Sequence, residues 1–217
     1  MDDGIELASL AAAFEAIRDM LAPPFTEDMH KPTPNPGWDV GVLFDHVMDL
    51  TVRIGAAAGI IVCDNIKAAP QQRLAAVVGP IVEGWRRRQM QGEIIWRTRR
   101  LADPVAINVL TLDIVVHGWD LAVALGRVLK ISEPRAQYLL KFAHDALTDD
   151  VRADSGFGPP IVGYESGGST LDRLVAFTGR DPNNWDKSTA EAVDCWLLPL
   201  TVALESSGSA VILSHGG

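Results

Sequence analysis

An all-α fold is what this chain predicts, on three observations. Apolar residues recur at three- and four-residue spacing through five long stretches, the signature of helices that each bury one face. Proline, glycine and small polar residues sit at the joints between those stretches, where helices start and stop. Hydrophobic residues make up 47% of the 217 against 22% charged, enough apolar material for one sizeable core. No internal repeat or low-complexity tract interrupts the pattern.

Residues 5 to 21 place Leu7, Leu10, Ala11, Phe14, Ile17 and Leu21 on one stripe, a first helix that Pro23-Pro24 must end. Five prolines between Ala22 and Gly37 then make a non-regular connection, neither helix nor central strand. Asn35-Pro36-Gly37-Trp38-Asp39 starts the second helix, with Asp39 or Asn35 available as the cap and Trp38 to staple the turn. That helix runs from about Asp39 to Ile61 on the face Leu43, Val47, Leu50, Ile54, with His46 at its edge. Pro70 opens the third, about Gln71 to Met90, closing near Gly92 and burying Leu74, Val77, Val78, Ile81, Val82 and Trp85. Residues 92 to 103 are an arginine-rich connection with a short extended piece around Ile94-Ile95-Trp96. Asp103-Pro104 supplies an N-cap and a first-turn proline for the fourth helix, which Gly126 ends. Ser132-Glu133-Pro134 starts a fifth, to about Thr148, and Ser169-Thr170-Leu171-Asp172 a short sixth that Gly179 closes. Residues 187 to 204 carry a helical pattern broken by Pro199, and Ser206 to Gly217 is a small-residue tail with the patch Ala210-Val211-Ile212-Leu213. The division expected is therefore a bundle over residues 1 to 186 and a C-terminal extension over 187 to 217, whose Trp196 is a candidate homodimer contact.

Composition excludes several function classes. A formal charge of −9 and a pI near 4.9 argue against a nucleic-acid partner, which needs a concentrated basic face. The arginines at 86 to 88 and at 97, 99 and 100 read as a solvated face that offsets nearby acids. No apolar run is read as reaching the ~18–20 residues of a membrane span, so no membrane partner is expected. The first residues are acidic rather than a basic, apolar leader, which predicts a cytoplasmic protein. Cys63 and Cys195 lie far apart without CxxC or CxxH spacing, so neither a disulfide framework nor a thiolate zinc site is indicated, and Cys63 reads as a small buried hydrophobe.

Chemistry concentrates in the fourth helix. The stripe Ala106, Leu110, Asp113, His117 puts a carboxylate and an imidazole one turn apart in the most apolar segment of the chain, where both can reach one ion. A buried unpaired aspartate is costly and needs a cation, a donor network or a neutral form. An Asp paired with an Arg and a His bonded to a carbonyl would look the same in sequence. A lone histidine at His46 is more often a hydrogen-bonded core residue than a ligand, though Asp45 and Asp49 flank it and a carboxylate one turn away could orient its ring. Facing helices pack about 8–10 Å apart, so His46 could complete a set with Asp113 and His117. Two imidazoles and one carboxylate are a catalytic rather than structural ligand count, leaving positions open.

Four stretches then carry a family resemblance: Pro36-Gly37-Trp38 ahead of a helix with central His46; Val115-Val116-His117-Gly118-Trp119-Asp120-Leu121-Ala122; Phe157-Gly158-Pro159-Pro160; and Leu171-Asp172-Arg173-Leu174 with Thr178-Gly179-Arg180-Asp181-Pro182. Together they span about residues 5 to 186, the second being the specific one. The chain resembles the DinB-like superfamily, and within it the actinobacterial metal-binding branch related to the N-terminal domain of mycothiol-dependent maleylpyruvate isomerase. The resemblance implies a DinB-like four-helix bundle with a long crossover between helices two and three, plus extra short helices. It implies a divalent ion, zinc or alternatively nickel, on His46, Asp113 and His117. The acid is usually glutamate in such proteins, and Asp113 is one methylene shorter; Asp120 is then a substitute ligand or an outer hydrogen-bond acceptor, and Trp119 and Asp49 are further outer or substrate-contacting residues. The implied activity is transfer or isomerisation of a small electrophile with a small thiol such as mycothiol as cosubstrate. The chain beyond residue 186 is too short for the isomerase's C-terminal substrate domain. A metal-dependent hydrolase and a non-catalytic metal-binding or stress-response protein are the alternatives.

Overall fold

The computed structural model describes residues 4–21, 25–164 and 167–183. Residues 1–3, the 186/187 division, the Pro199-containing segment, the Trp196 contact and the Ala210-Leu213 patch lie outside them.

Helix α1 (Gly4–Met20) buries Leu7, Leu10, Phe14 and Ile17 as its spacing requires. A 3-10 turn, Phe25–Asp28, follows inside the proline-rich connection, a short piece of helix where none was expected. Helix α2 (Val40–Ala57) is capped by Asp39, whose Oδ1 accepts from the Val42 N–H at 2.8 Å. Helix α3 (Pro70–Arg88) starts on its proline and passes through Pro80. Both Pro80 and Ala76, whose carbonyl loses its i+4 donor, are exposed, so water can satisfy the freed oxygen.

The end of α3 differs from the expected glycine stop. Gln89 and Met90 take positive φ values of 54° and 59°, and the helix ends there. Gly92 is required by a close approach instead: a Cβ there would lie 2.1 Å from Arg88 Nη2. The Arg88 guanidinium forks onto Asp103, Nε to Oδ2 at 3.0 Å and Nη2 to Oδ1 at 2.7 Å, and Nη1 donates to the Ala58 carbonyl at 2.9 Å. Asp103 thus lies inside the next helix, fully buried and also accepting from the Gly92 N–H, while Ala102 holds the cap position. A buried carboxylate needs a cation more than a helix needs one more cap.

Between α3 and the next helix the otherwise all-helical bundle carries a small β-hairpin. Strands β1 (Glu93–Trp96) and β2 (Arg99–Ala102) form an antiparallel hairpin pairing Glu93 with Ala102 and Trp96 with Arg99. The expected extended piece was half of it. The arginines here are engaged as the charge pattern predicts, Arg100 with Glu93 and Arg99 with Asp154. Arg73 of α3 grips Asp64 with two bonds and Asp45 of α2 with a third, fixing the 58–69 connection between α2 and α3. Cys63 in that connection is exposed, not buried: the connection lies on the outside, and the core side is taken by Ile60.

Helix α4 (Asp103–Leu125) is the axis of a multi-helix bundle, packed by α1, α2 and two later helices, α5 (Glu133–Ala146) and α7 (Thr170–Phe177), with α3 closing against α1 and α2. By length and composition it could cross a membrane, contrary to the sequence reading, but 83% of its apolar window is buried inside the protein. That is how a core helix passes the same criterion. It ends at Gly126 with φ 65°, as expected.

Helix α5 (Glu133–Ala146) starts after Ser132, whose side chain makes no cap bond. Thr148 does not end it but caps a short helix the sequence reading missed, α6 (Asp149–Ser155). Helix α7 (Thr170–Phe177) carries the full capping box of Ser169 and Asp172. It closes through Gly179, at φ 91° with its would-be Cβ 2.7 Å from the Gly158 Cα. Only glycine fits both the conformation and the contact.

Candidate metal centre

Helix α2 and helix α4 bring His46, Asp113 and His117 together. The Nε2 atoms of His46 and His117 each lie 3.7 Å from Asp113 Oδ2, and one donor atom from each of the three residues falls within 4.8 Å of the others. Ligands of a tetrahedral ion with bonds of ~2.0–2.1 Å stand about 3.3–3.4 Å apart, so each imidazole nitrogen lies only a few tenths of an ångström beyond ligand spacing from Asp113 Oδ2. The imidazoles meet edge to face, ring centroids 5.0 Å apart at 81°. Side-chain exposure falls from 37% at His46 to 15% at Asp113 and 8% at His117, so the site opens on the His46 side.

Asp113 Oδ2 is buried and makes no hydrogen bond. An orphaned carboxylate oxygen between two imidazole nitrogens is the feature an ion would satisfy. Burial pushes the Asp113 carboxyl up, but His117, His46 and the more distant Arg180 together outweigh it and hold it below the ordinary carboxylate range. The acid therefore stands ready as an anionic donor.

His117 is fixed from behind. Its Nδ1 lies 3.0 Å from Oδ2 of Asp120, which is wholly buried. That oxygen also accepts from Asn35 Nδ2 at 2.7 Å and from Arg180 Nη2 at 3.2 Å. With Nδ1–H donated to Asp120, the Nε2 lone pair faces Asp113, the tautomer a metal ligand needs. Burial again pushes the Asp120 carboxyl up, and Arg180 with His117 overrides this to hold it low. Of the two roles open to Asp120 in the sequence, the outer acceptor is the one the geometry serves, because its inward oxygen already takes three donors.

Other sequence candidates are placed differently. Asp49 lies on the solvent side, meeting Arg53 at 3.4 Å, because one turn along α2 from His46 the helix face has already rotated outward. Trp119 is buried in the apolar core. The indole against the site is that of Trp38, its ring 4.9 Å from His46 and 6.1 Å from His117. Asn35, considered for the α2 cap, is turned to Asp120. Sequence reasoning assigned no site role to Asn35, Arg180 or Trp38. Trp38 and Arg180 stood inside motif stretches, but 85 residues separate Asn35 from Asp120 and no spacing rule links them.

The donor set is what a borderline divalent ion takes: two imidazoles, one carboxylate, an outer carboxylate on one imidazole, and a side open to solvent. Comparison with family models, curated proteins and solved structures yields no match for this chain, so its chemistry rests on these residues alone.

Proposed function

We propose that the chain is a divalent-metal protein of DinB-like type, acting as a thiol transferase or isomerase on a small electrophile. The observation that carries the metal reading is the convergence of His46, His117 and Asp113 on the unpartnered Asp113 oxygen. Zinc suits this mixed set best, with nickel the alternative. A bound dication of this kind supplies Lewis acidity and stabilises the deprotonated form of a coordinated thiol or water.

The residues' part is to bind and orient. One carboxylate and two neutral imidazoles leave a dication a single net positive charge, which favours one monoanionic ligand. Asp113 faces the site, and Asp120 is committed to His117, Asn35 and Arg180. Neither carboxylate is therefore placed to act as a general base, and a thiol, acidified by coordination alone, needs none. A metal-bound water is acidified in the same way, so the thiol reading is carried by the resemblance. Trp38 supplies an apolar wall beside the imidazoles. The resemblance to mycothiol-dependent proteins names the thiol class.

Calorimetry tests both layers. Zinc should bind the apo protein with one ion per chain, and His46→Ala and His117→Ala should abolish it. Mycothiol should then bind the zinc-loaded protein with release of close to one proton at a pH below the free thiol's pKa of about 8.5. Zinc binding without thiol binding would leave a metal-binding or hydrolytic role, and unchanged zinc content in the histidine variants would end the three-ligand site.

A further inference from the structure

We propose that Arg180, with Asn35, is a positioning residue of the metal centre, acting through Asp120 on His117; the proposal rests on the metal reading above. Arg180 follows α7, on the far side of the chain from either ligand helix in sequence. Its guanidinium reaches Asp120 with two nitrogens, Nη2 to Oδ2 at 3.2 Å and Nε to Oδ1 at 3.5 Å. Nη2 also donates to Asn35 Oδ1 at 3.3 Å, and Nη1 to the Thr178 carbonyl at 3.1 Å. Asn35 closes the triangle by donating Nδ2 to Asp120 Oδ2. A two-point fork fixes the plane of a carboxylate, which a single contact leaves free to rotate. Fixing the Asp120 plane fixes the direction of the His117 Nδ1 bond, and so the direction of Nε2 toward Asp113.

The path that delivers Arg180 is itself constrained. Its backbone N–H bonds the Val175 carbonyl at 3.0 Å, and Gly179 turns the chain at φ 91° against Gly158. The guanidinium lies over the Phe157 ring at 5.6 Å and its side chain is only 11% exposed. Those contacts hold the fork in place, and they bring the Phe157-Gly158 and Gly179-Arg180 stretches to one function.

Cobalt(II), whose visible absorption reports coordination geometry, is the probe. Apo wild type, Arg180→Gln, Arg180→Lys, Asn35→Ala and His46→Ala are titrated with it, each first checked for native helicity and thermal unfolding without metal. The expected result is a loss of cobalt affinity of about 10-fold in Arg180→Gln, the low end of the range for the direct partner of a ligating histidine because Arg180 acts one residue further out, with altered absorption bands. Arg180→Lys recovers part of the affinity by restoring charge without the fork, and Asn35→Ala shows a smaller loss. If Arg180→Gln does not fold, Asn35→Ala alone decides. A folded Arg180→Gln, or failing that Asn35→Ala, with wild-type affinity and bands overturns the proposal while leaving the metal reading intact. Failure of wild type to bind cobalt, or wild-type binding by His46→Ala, overturns both.

Discussion

At the scale of single residues, Asp113 has an environment that an ion would complete. Its Oδ2 is buried without a hydrogen bond, whereas the wholly buried Asp120 has three donors on one oxygen. Asp113→Asn should therefore remove the metal-dependent part of stability. Wild type should gain about 2.7 kcal/mol in zinc at a hundredfold excess over its dissociation constant, and the variant close to nothing, as measured by urea unfolding with and without the ion. Equal gains would mean that the ion sits elsewhere. His46, Asp113 and His117 were legible because helical spacing turns sequence distance into direction, and because a charged side chain in an apolar stripe demands a partner. Asn35 and Arg180 were not legible, since 145 residues separate them and only the folded chain brings both to Asp120.

Among elements, the joints depart most from what periodicity dictates. The start of α4 is anchored by Arg88 on Asp103 rather than by a helix cap, and Asp103→Ala should cost about 3–5 kcal/mol by leaving the partly buried guanidinium unpaired. Chemical unfolding would show it, and a loss below 1 kcal/mol would mean that the hairpin and Ala58 hold Arg88 unaided. Pro80 shows why the length of α3 was readable although its interior contains a breaker: the proline and the carbonyl it deprives both face water. The boundary at Thr148 was misplaced because a capping threonine looks the same whether a helix ends before it or begins after it. Where α5 meets α7, Glu133 is held below the ordinary glutamate range by Thr170, then by Gln137. A lowered acid stabilises the fold above its unfolded value of about 4.3 and loses that contribution as pH falls through the lower folded value. Thermal unfolding of wild type and Glu133→Gln should thus converge as pH falls from 5 to 3. A gap that widens toward acid would contradict the hydrogen-bonded anion.

For the molecule as a whole, α4 is packed on several sides, by α1, α2, α5 and α7, which is why its own sequence carries little amphipathic signal while α2, α5 and α7 carry more. An ion shared by α2 and α4 would cross-link two helices that otherwise meet through side-chain packing. Amide exchange around His46 in α2 and around Asp113 to His117 in α4 should slow together on zinc loading and by the same factor, with α5 and α6 little changed; slowing confined to α4 would exclude His46 as a ligand. The same layout sets an order for biosynthesis. A growing chain holds all three candidate ligands once residue 117 is made, but His117 stays without its full backing until Arg180 has been added 63 residues later (180 − 117). Metal captured on the ribosome in that interval would meet an imidazole free to swing, and secure capture would wait until nearly all of the described chain had been synthesised.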